Sequence, residues 1–388
     1  MTDTCTTNPE LATLREQINE VNGQILQLFE RRMQISAGIA QAKRAMGKPV
    51  FDPARERAIL AKVREDATEG MESYATMLFS LLMEMSSGYQ QRLLNPASPI
   101  ETRIEAALET TPRLFPPSAT VACQGVEGAY SQQACEKIFK HPSITYYKNF
   151  EGVFKAIEAG ECDYGVLPLE NSTAGTVQTV YDLMMQHDFH IVRTCRFRVE
   201  HDLLALPGAS VGSIKEIFSH EQAINQCAHF LESLPGVKVT PVANTAVAAR
   251  MVAESGRTDV AALSSHTCAD LYGLVVLARQ VNDAVNNTTR FACISKDLQI
   301  FPGADRASFM LVTPHVPGSL YKILARLYAF DVNMTKLESR PIPNRDFDYM
   351  FYFDVEASVY SPEFVALMSE LDALCAEFTY LGSYNELV

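Results

Sequence analysis

DYGVLPLENST, residues 163–173, changes character halfway along. YGVLPL is a short apolar run with the length of a buried strand, and Glu170, Asn171, Ser172 and Thr173 stand where that strand gives out. Open α/β sheets hold their ligands beyond the carboxyl ends of such strands, so a polar tetrad there points to a binding site on a sheet fed by helices. The neighbouring chain agrees. From residue 119 onward TVACQG, SITYY, IVRTCRFRV, HDLLAL, SIKEIFS, KVTPVA, DVAALSS and RFACISK alternate with helical patterns, as in an α/β region with a parallel or mixed sheet.

Both flanks differ from this centre. Upstream, Leu11, Leu14, Ile18, Val21, Ile25, Leu28, Ile35 and Ile39 step by threes and fours, a seam of heptad-like period. The helix breaks at GKP (47–49) and resumes over 53–66 and 71–94, with Asp52 and Pro53 as an N-cap and first-turn pair. Downstream, ASFMLVTP, PGSLYKILARLYAF, NMTKLESRPI, YMFYFDVEA, SPEFVALMSELDALCA and FTYLGSY read β-α-β-β-α-β, the ferredoxin-like order. The expected organisation is an all-α region over 1–97, a proline-rich linker over 98–118, an α/β region over 119–298 and an α+β region over 299–388.

Composition narrows the class. At 47% hydrophobic and 20% charged the chain reads as a soluble globular protein, and its length of 388 residues calls for several cores. The start MTDTCTTNPELATL has no signal-like apolar segment, and no run approaches a membrane span, so the expected compartment is the cytoplasm. Nine cysteines without a C-x-x-C pair read as reduced, mostly buried thiols, and eight histidines without metal-site spacing predict no structural metal. A net charge of -13 argues against nucleic-acid or anionic-membrane partners. Residues 11–57 run the other way, with eight Lys and Arg against five Asp and Glu, which suits a small anionic ligand held locally.

Within that basic stretch Arg32 occupies a seam position where a leucine is expected, and burying a guanidinium without partners would cost several kcal/mol or more. Lys43, 11 residues on, lies about 20° around the helix and roughly 16 Å along it, so both side chains can converge on one small molecule. Arg15 is 17 residues earlier, roughly 25 Å away, and can serve such a ligand only from another helix. LREQI, ERRMQIS, AQAK, DPARE and EMSSGYQQ resemble the all-helical chorismate mutases, intertwined homodimers whose long first helix lends an arginine to the partner's site. The resemblance implies that Arg15 acts in trans, and that Arg32, Lys43, Asp52, Arg55, Glu56, Ser86 and Gln90 surround the ligand. A pericyclic rearrangement needs enforced conformation and charge stabilisation rather than a nucleophile. Arg15 and Arg32 would hold the two carboxylates, Lys43 and Gln90 the ether oxygen, and Glu56 and Asp52 the ring hydroxyl and nearby donors.

In the centre, QGVEGAYS (124–131), PLENSTAGTV (168–177), FSHEQAINQC (218–227) and NNTTRF (286–291) can meet in one cleft. Together with DYGVLPLENS, SHEQA and LYGL they resemble prephenate dehydratase, including its T-R-F signature at Thr289, Arg290 and Phe291. That family's fold implies two lobes like a type II periplasmic binding protein, with the site between them. Its essential threonine matches Thr289, which the period of two along RFACIS turns to the cleft, sharing a face with Phe291. The reaction expels a hydroxyl, so the departing oxygen needs a proton, from Glu127, His220 or a water. Asn171, Ser172, Thr173, Gln222 and Thr245 are candidate substrate donors, and for each a cap or turn role is an equal reading. Arg290 and Phe291 join the candidate prephenate contacts through the signature.

The last block resembles an ACT domain, an amino-acid-binding regulatory module. LESRP (337–341) matches its phenylalanine motif, giving Glu338, Ser339 and Arg340, and the usual G-A-L-V stands as Gly318, Ser319, Leu320 and Tyr321. Exposed N–H groups at a helix start opened by glycine suit a carboxylate. The three blocks imply that chorismate is rearranged to prephenate and dehydrated to phenylpyruvate, with L-phenylalanine as inhibitor and no cofactor. No G-x-G-x-x-G follows a strand, which removes a nicotinamide-dependent alternative. The rivals are a solute-binding module built on the central lobes and a ligand sensor whose mutase-like part only dimerises.

Overall fold

The computed structural model describes residues 9–49, 52–94, 98–346 and 348–388. The chain divides into two compact units, Met1–Pro99 and Ile100–Val388. Cys5, read as a reduced thiol, lies outside the described residues; the other eight cysteines are free, and seven of them are buried. Among the described residues no helix is long and apolar enough to cross a membrane.

Three helices make the first unit: α1 (Pro9–Ala45), α2 (Pro53–Asp66) and α3 (Glu72–Leu94). Asp52 caps α2, its Oδ1 accepting from the Arg55 backbone N–H at 3.0 Å. α1 packs Ser36 and Ala40 inward, while the seam from Leu11 to Ile39 stays open, with Leu28 at 65% exposure. The heptad-like period therefore marks a face that this unit does not cover by itself.

The second unit opens with α4 (Pro99–Thr110). A first lobe follows: β1 (Ser118–Gln124), α5 (Tyr130–Ile138), β2 (His141–Tyr147), α6 (Phe150–Ala159), β3 (Tyr164–Asn171), β4 (Gly175–Thr176), α7 (Gln178–Met184) and β5 (His190–Arg198). The second lobe comprises β6 (Asp202–Ala205), β7 (Glu216–Ser219), α8 (Glu221–Gln226), α9 (Ala228–Glu232), β8 (Lys238–Pro241), α10 (Thr245–Ser255), β9 (Val260–Ser264), α11 (His266–Tyr272) and β10 (Val275–Ala278). The chain then returns as β11 (Thr288–Ser295) and continues through β12 (Arg306–Val312), α12 (Ser319–Ala329), β13 (Asn333–Pro341), β14 (Tyr349–Glu356), α13 (Pro362–Leu374), β15 (Glu377–Tyr384) and β16 (Glu386–Leu387).

Both lobes follow one plan. The first sheet runs β16-β5-β11-β3-β1-β2, with β4 beside β3, and the second β10-β6-β9-β7-β8. In each, the strand arriving from the other lobe, β11 or β6, is inserted antiparallel beside the third parallel strand. This exchange gives the two-lobed plan that the resemblance implied. β12 to β15 form an antiparallel sheet in the order β13-β14-β12-β15, the ferredoxin-like arrangement.

The segment 98–118 is more than a connector. Ile100, Ile104 and Ala107 of α4 are buried in one core with Phe309, Phe353 and Leu367 of the ferredoxin-like module, because ETRIEAAL presents one apolar face. That module also shares a core with the first lobe: Met310, Tyr352 and Leu381 pack among Leu167, Ala292 and Ile294. A Cβ on Gly382 of β15 would lie 2.4 Å from the Ile191 carbonyl oxygen of β5, so only glycine permits this approach. β10 and β16, four and two residues long, were not expected from the apolar runs.

Candidate active sites

In the helical unit Arg32 turns from α1 to α3. Its Nη1 donates to the Leu82 carbonyl oxygen at 2.6 Å and to Ser86 Oγ, and burial pulls its pKa below the usual guanidinium value. Ser86 and Gln90, one turn apart on α3, are buried, and Gln90 Oε1 has no hydrogen-bond partner among the described residues. A buried carboxamide oxygen left unpaired costs about 1–3 kcal/mol, which a ligand donor would recover. Lys43 and Glu56 are half-buried, and Asp52 and Arg55 are exposed at the start of α2. Arg15 is exposed on α1, about 25 Å from Arg32 by the helical rise per residue. α1 is unbroken between them, so Arg15 cannot bend back to the same ligand.

In the second unit a cleft of ≈ 560 Å³ is lined by Thr173, His220, Gln222, Gln226, Asn282 and Asn287, among others. Asn171 ends β3 directly opposite Thr289 at the start of β11. Its Oδ1 accepts from the backbone N–H groups of Thr173 at 3.1 Å and Ala174 at 3.0 Å, which fixes the orientation of the amide. Its Nδ2 must then donate, to Thr289 Oγ1 at 2.9 Å and to Asn287 Oδ1 at 2.7 Å. Asn287 Nδ2 donates onward to Gln226 Oε1 at 2.9 Å, and Gln226 Nε2 closes the ring on Thr173 Oγ1 at 2.9 Å. Thr289 thus receives a hydrogen bond from Asn171 and keeps its own hydrogen to give.

The other expected residues scatter. Ser172 ties the loop, its Oγ donating to the Asn286 carbonyl at 2.8 Å. His220 caps α8, its Nδ1 accepting from the Gln222 N–H at 3.3 Å, and both residues line the cleft. Thr245 opens α10, and Glu127 is exposed with its backbone oxygen accepting from Tyr272; neither lines the cleft, and Asn171, Ser172 and Thr289 stand behind its lining residues Thr173 and Asn287. Phe291 is 2% exposed inside the first lobe's core and offers no surface to a ligand.

Arg290 is the clearest correction. Strand alternation sends it to the opposite face from Thr289, against the ferredoxin-like module. It pairs there with Asp354 at 2.5 Å and Glu386 at 2.8 Å, reaches Tyr384 Oη at 3.1 Å, and approaches Glu170 at 3.5 Å. A charge so compensated is a structural clamp between two sheets rather than a substrate contact. Gln226, Asn287, Tyr130 and His201 escaped the sequence reading, since single polar residues in AINQC, NNTT, AYS and HDLL carry no periodic signal. His201 is buried, its Nε2 lies 3.3 Å from Gln226 Oε1 and its Nδ1 3.2 Å from Tyr130 Oη. Burial pulls its pKa down to about 4, so it is neutral at physiological pH.

In the ferredoxin-like module Gly318, Ser319 and Leu320 line a second cleft of ≈ 490 Å³ with Tyr349 and Phe351. Gly318 has φ +85°, which leaves the start of α12 open. Ser339 pairs with Phe351 across β13 and β14, so the two share a face. Glu338 and Arg340 point the other way: Glu338 accepts from Thr176 Oγ1 at 2.7 Å, and Arg340 grips Asp182 with bonds of 2.8 and 2.9 Å. The structure therefore brings only Ser339 of the three to the Gly318 face, and ties the other two to the first lobe.

A helical unit with a half-buried arginine bonded to a second helix, a two-lobed α/β cleft lined by amides and a hydroxyl, and a ferredoxin-like module with a cleft of its own define a multifunctional enzyme for small molecules. Residues 14–91 match the family model of chorismate mutase type II, and residues 121–299 that of prephenate dehydratase. The chain is 30% identical over 385 residues to the bifunctional chorismate mutase/prephenate dehydratase of Escherichia coli K12, covering 97% of this chain and 96% of that one. It belongs to the bifunctional chorismate mutase/prephenate dehydratase family. Among solved structures, a prephenate dehydratase from Arthrobacter aurescens in complex with L-Phe superposes with TM-score 0.63 at 26% identity, over 69% of this chain and 90% of that one. GqqA, described as a novel type of quorum quenching acylase, gives TM-score 0.63 at 32% identity, over 68% of this chain and 97% of that one.

Proposed function

We propose that the chain catalyses two consecutive steps, the rearrangement of chorismate to prephenate in the helical unit and the conversion of prephenate to phenylpyruvate in the two-lobed cleft. The observation that carries this reading is the amide ring that holds Thr289 as a hydrogen-bond acceptor from Asn171, leaving its hydroxyl hydrogen for a substrate oxygen. Prephenate dianion takes up one proton and loses water and carbon dioxide as the ring becomes aromatic. Thr289 donates to the departing hydroxyl, and Asn171, Thr173 and Gln226 orient the rest. His220, at the cleft wall, is the histidine best placed to deliver the proton, directly or through water. Incubating the purified chain with chorismate, and separately with prephenate, should yield phenylpyruvate from both; no product from either would sink the reading in favour of a binding or sensor protein.

In the helical unit Arg32 takes one carboxylate of chorismate and Arg15 of a second copy the other, with Lys43 and Gln90 at the ether oxygen and Glu56 and Asp52 at the ring hydroxyl. The open seam from Leu11 to Ile39 supports this homodimeric arrangement, since a stripe of exposed leucines and isoleucines on a 37-residue helix calls for cover. The seven buried free thiols fit a reducing, cytoplasmic compartment.

The ferredoxin-like module acts as an ACT domain that binds L-phenylalanine at Gly318, Ser319 and Leu320, with Ser339 on the adjoining face. The L-Phe complex of the Arthrobacter protein supports this assignment. Ser339→Val should weaken phenylalanine binding itself, read by calorimetry. Arg340→Ala should leave binding within about threefold yet relieve inhibition of the dehydratase, because it cuts only the tie to Asp182. Undiminished inhibition in both variants would move the regulatory site elsewhere.

A further inference from the structure

His201 belongs to neither sheet. It lies in the crossover from β5 to β6, its backbone N–H donating to Asn282 Oδ1 at 2.6 Å and its carbonyl accepting from Val281 N–H at 2.8 Å in the returning crossover. Its ring is 2% exposed and sits edge-on to Tyr130. The chain of amides determines which of its nitrogens carries hydrogen. Backbone donors fix Asn171, Asn171 fixes Asn287, and Asn287 turns Gln226 Oε1 toward His201 Nε2. An oxygen facing that nitrogen at 3.3 Å calls for Nε2–H, and the bare Nδ1 lies 3.2 Å from Tyr130 Oη, whose hydroxyl donates to the Glu200 carbonyl.

We propose that His201 is a positioning residue of the dehydratase: its Nε2–H holds the Gln226 carboxamide so that the amino group faces Thr173 and Asn171, and the ring around Thr289 stays closed. Glutamine has three rotatable side-chain bonds, and without this donor its amide can swing into the cleft that it lines. The effect is on orientation, because His201 lies behind Gln226 and does not line the cleft. The expected loss therefore falls on kcat rather than on substrate affinity.

This rests on the dehydratase reading above, and the test separates the two. A glutamine at position 201 can place an N–H where Nε2 stands, whereas asparagine is one bond too short and phenylalanine has no donor. His201→Gln should keep kcat on prephenate within about threefold of the parent, while His201→Asn and His201→Phe should each lose about tenfold or more with KM little changed. Mutase turnover by the same polypeptide supplies the concentration of folded chain. Should those variants fail to fold, nitrogen-15 NMR of the His201 ring in the parent chain should show the neutral Nε2–H tautomer. Equal kcat in the Gln, Asn and Phe variants, or an Nδ1–H tautomer in the parent, would overturn the positioning role. Absence of prephenate turnover by the parent chain would overturn the dehydratase reading instead.

Discussion

Thr289→Ala is expected to stop phenylpyruvate formation from prephenate, by about 10²–10⁴-fold in kcat, while chorismate continues to be rearranged at the parent rate. The hydroxyl removed is the one whose oxygen is occupied by Asn171 Nδ2 at 2.9 Å and whose hydrogen is thereby left for the substrate. Asn171 would still donate to Asn287 and accept from the Thr173 and Ala174 N–H groups, so the loop keeps its shape. Thr289→Val, which preserves volume and branching, should be as inactive as the alanine variant. The mutase residues lie in the other compact unit and serve as an internal control. Equal loss of both activities would point to misfolding and remove the argument for a catalytic hydroxyl.

Arg15→Ala and Arg32→Ala should each abolish mutase turnover, and co-refolding the two inactive chains should restore part of it. In the proposed two-fold dimer each site would take Arg32 from one chain and Arg15 from the other, so a mixed dimer would hold one intact site and one doubly defective site. With random pairing about a quarter of the parent activity returns. The continuity of α1 from Pro9 to Ala45 makes this a demanding test, because it bars both arginines from serving one ligand within one chain. No recovery on mixing would count against a shared site, and substantial activity in Arg15→Ala alone would free that residue from the reaction altogether.

Much of this architecture could be read from periodicity. The helices over 53–66 and 71–94 appear as Pro53–Asp66 and Glu72–Leu94, because Asp52, Pro53 and the GKP break punctuate them locally. The ferredoxin-like order was legible for the same reason: each element declares its own period. Contacts between elements distant in sequence were another matter. Alternation along β11 already separates Arg290 from Thr289, yet nothing in NNTTRF tells that Asp354 and Glu386, 64 and 96 positions further on, lie against that second face. For the same reason Glu338 and Arg340 fit a family motif in sequence but bond to Thr176 and Asp182 in space. His201 is the extreme case, a single residue in a crossover whose role is visible only through two successive amides.

β16 bears on how this polypeptide is made. Glu386 and Leu387 pair with Thr194 and Cys195 of β5, so the first lobe's sheet is completed by residues 192 positions downstream of its partner strand. Such closure belongs to the slow end of folding rates, because a long loop must be immobilised before the pairing rewards it. During synthesis at about 5–20 residues per second, the helical unit, whose contacts span fewer than ninety residues, can fold long before that edge is closed. In the interval β5 exposes an unpaired edge, the kind of surface that chaperones shield and that aggregates when they do not.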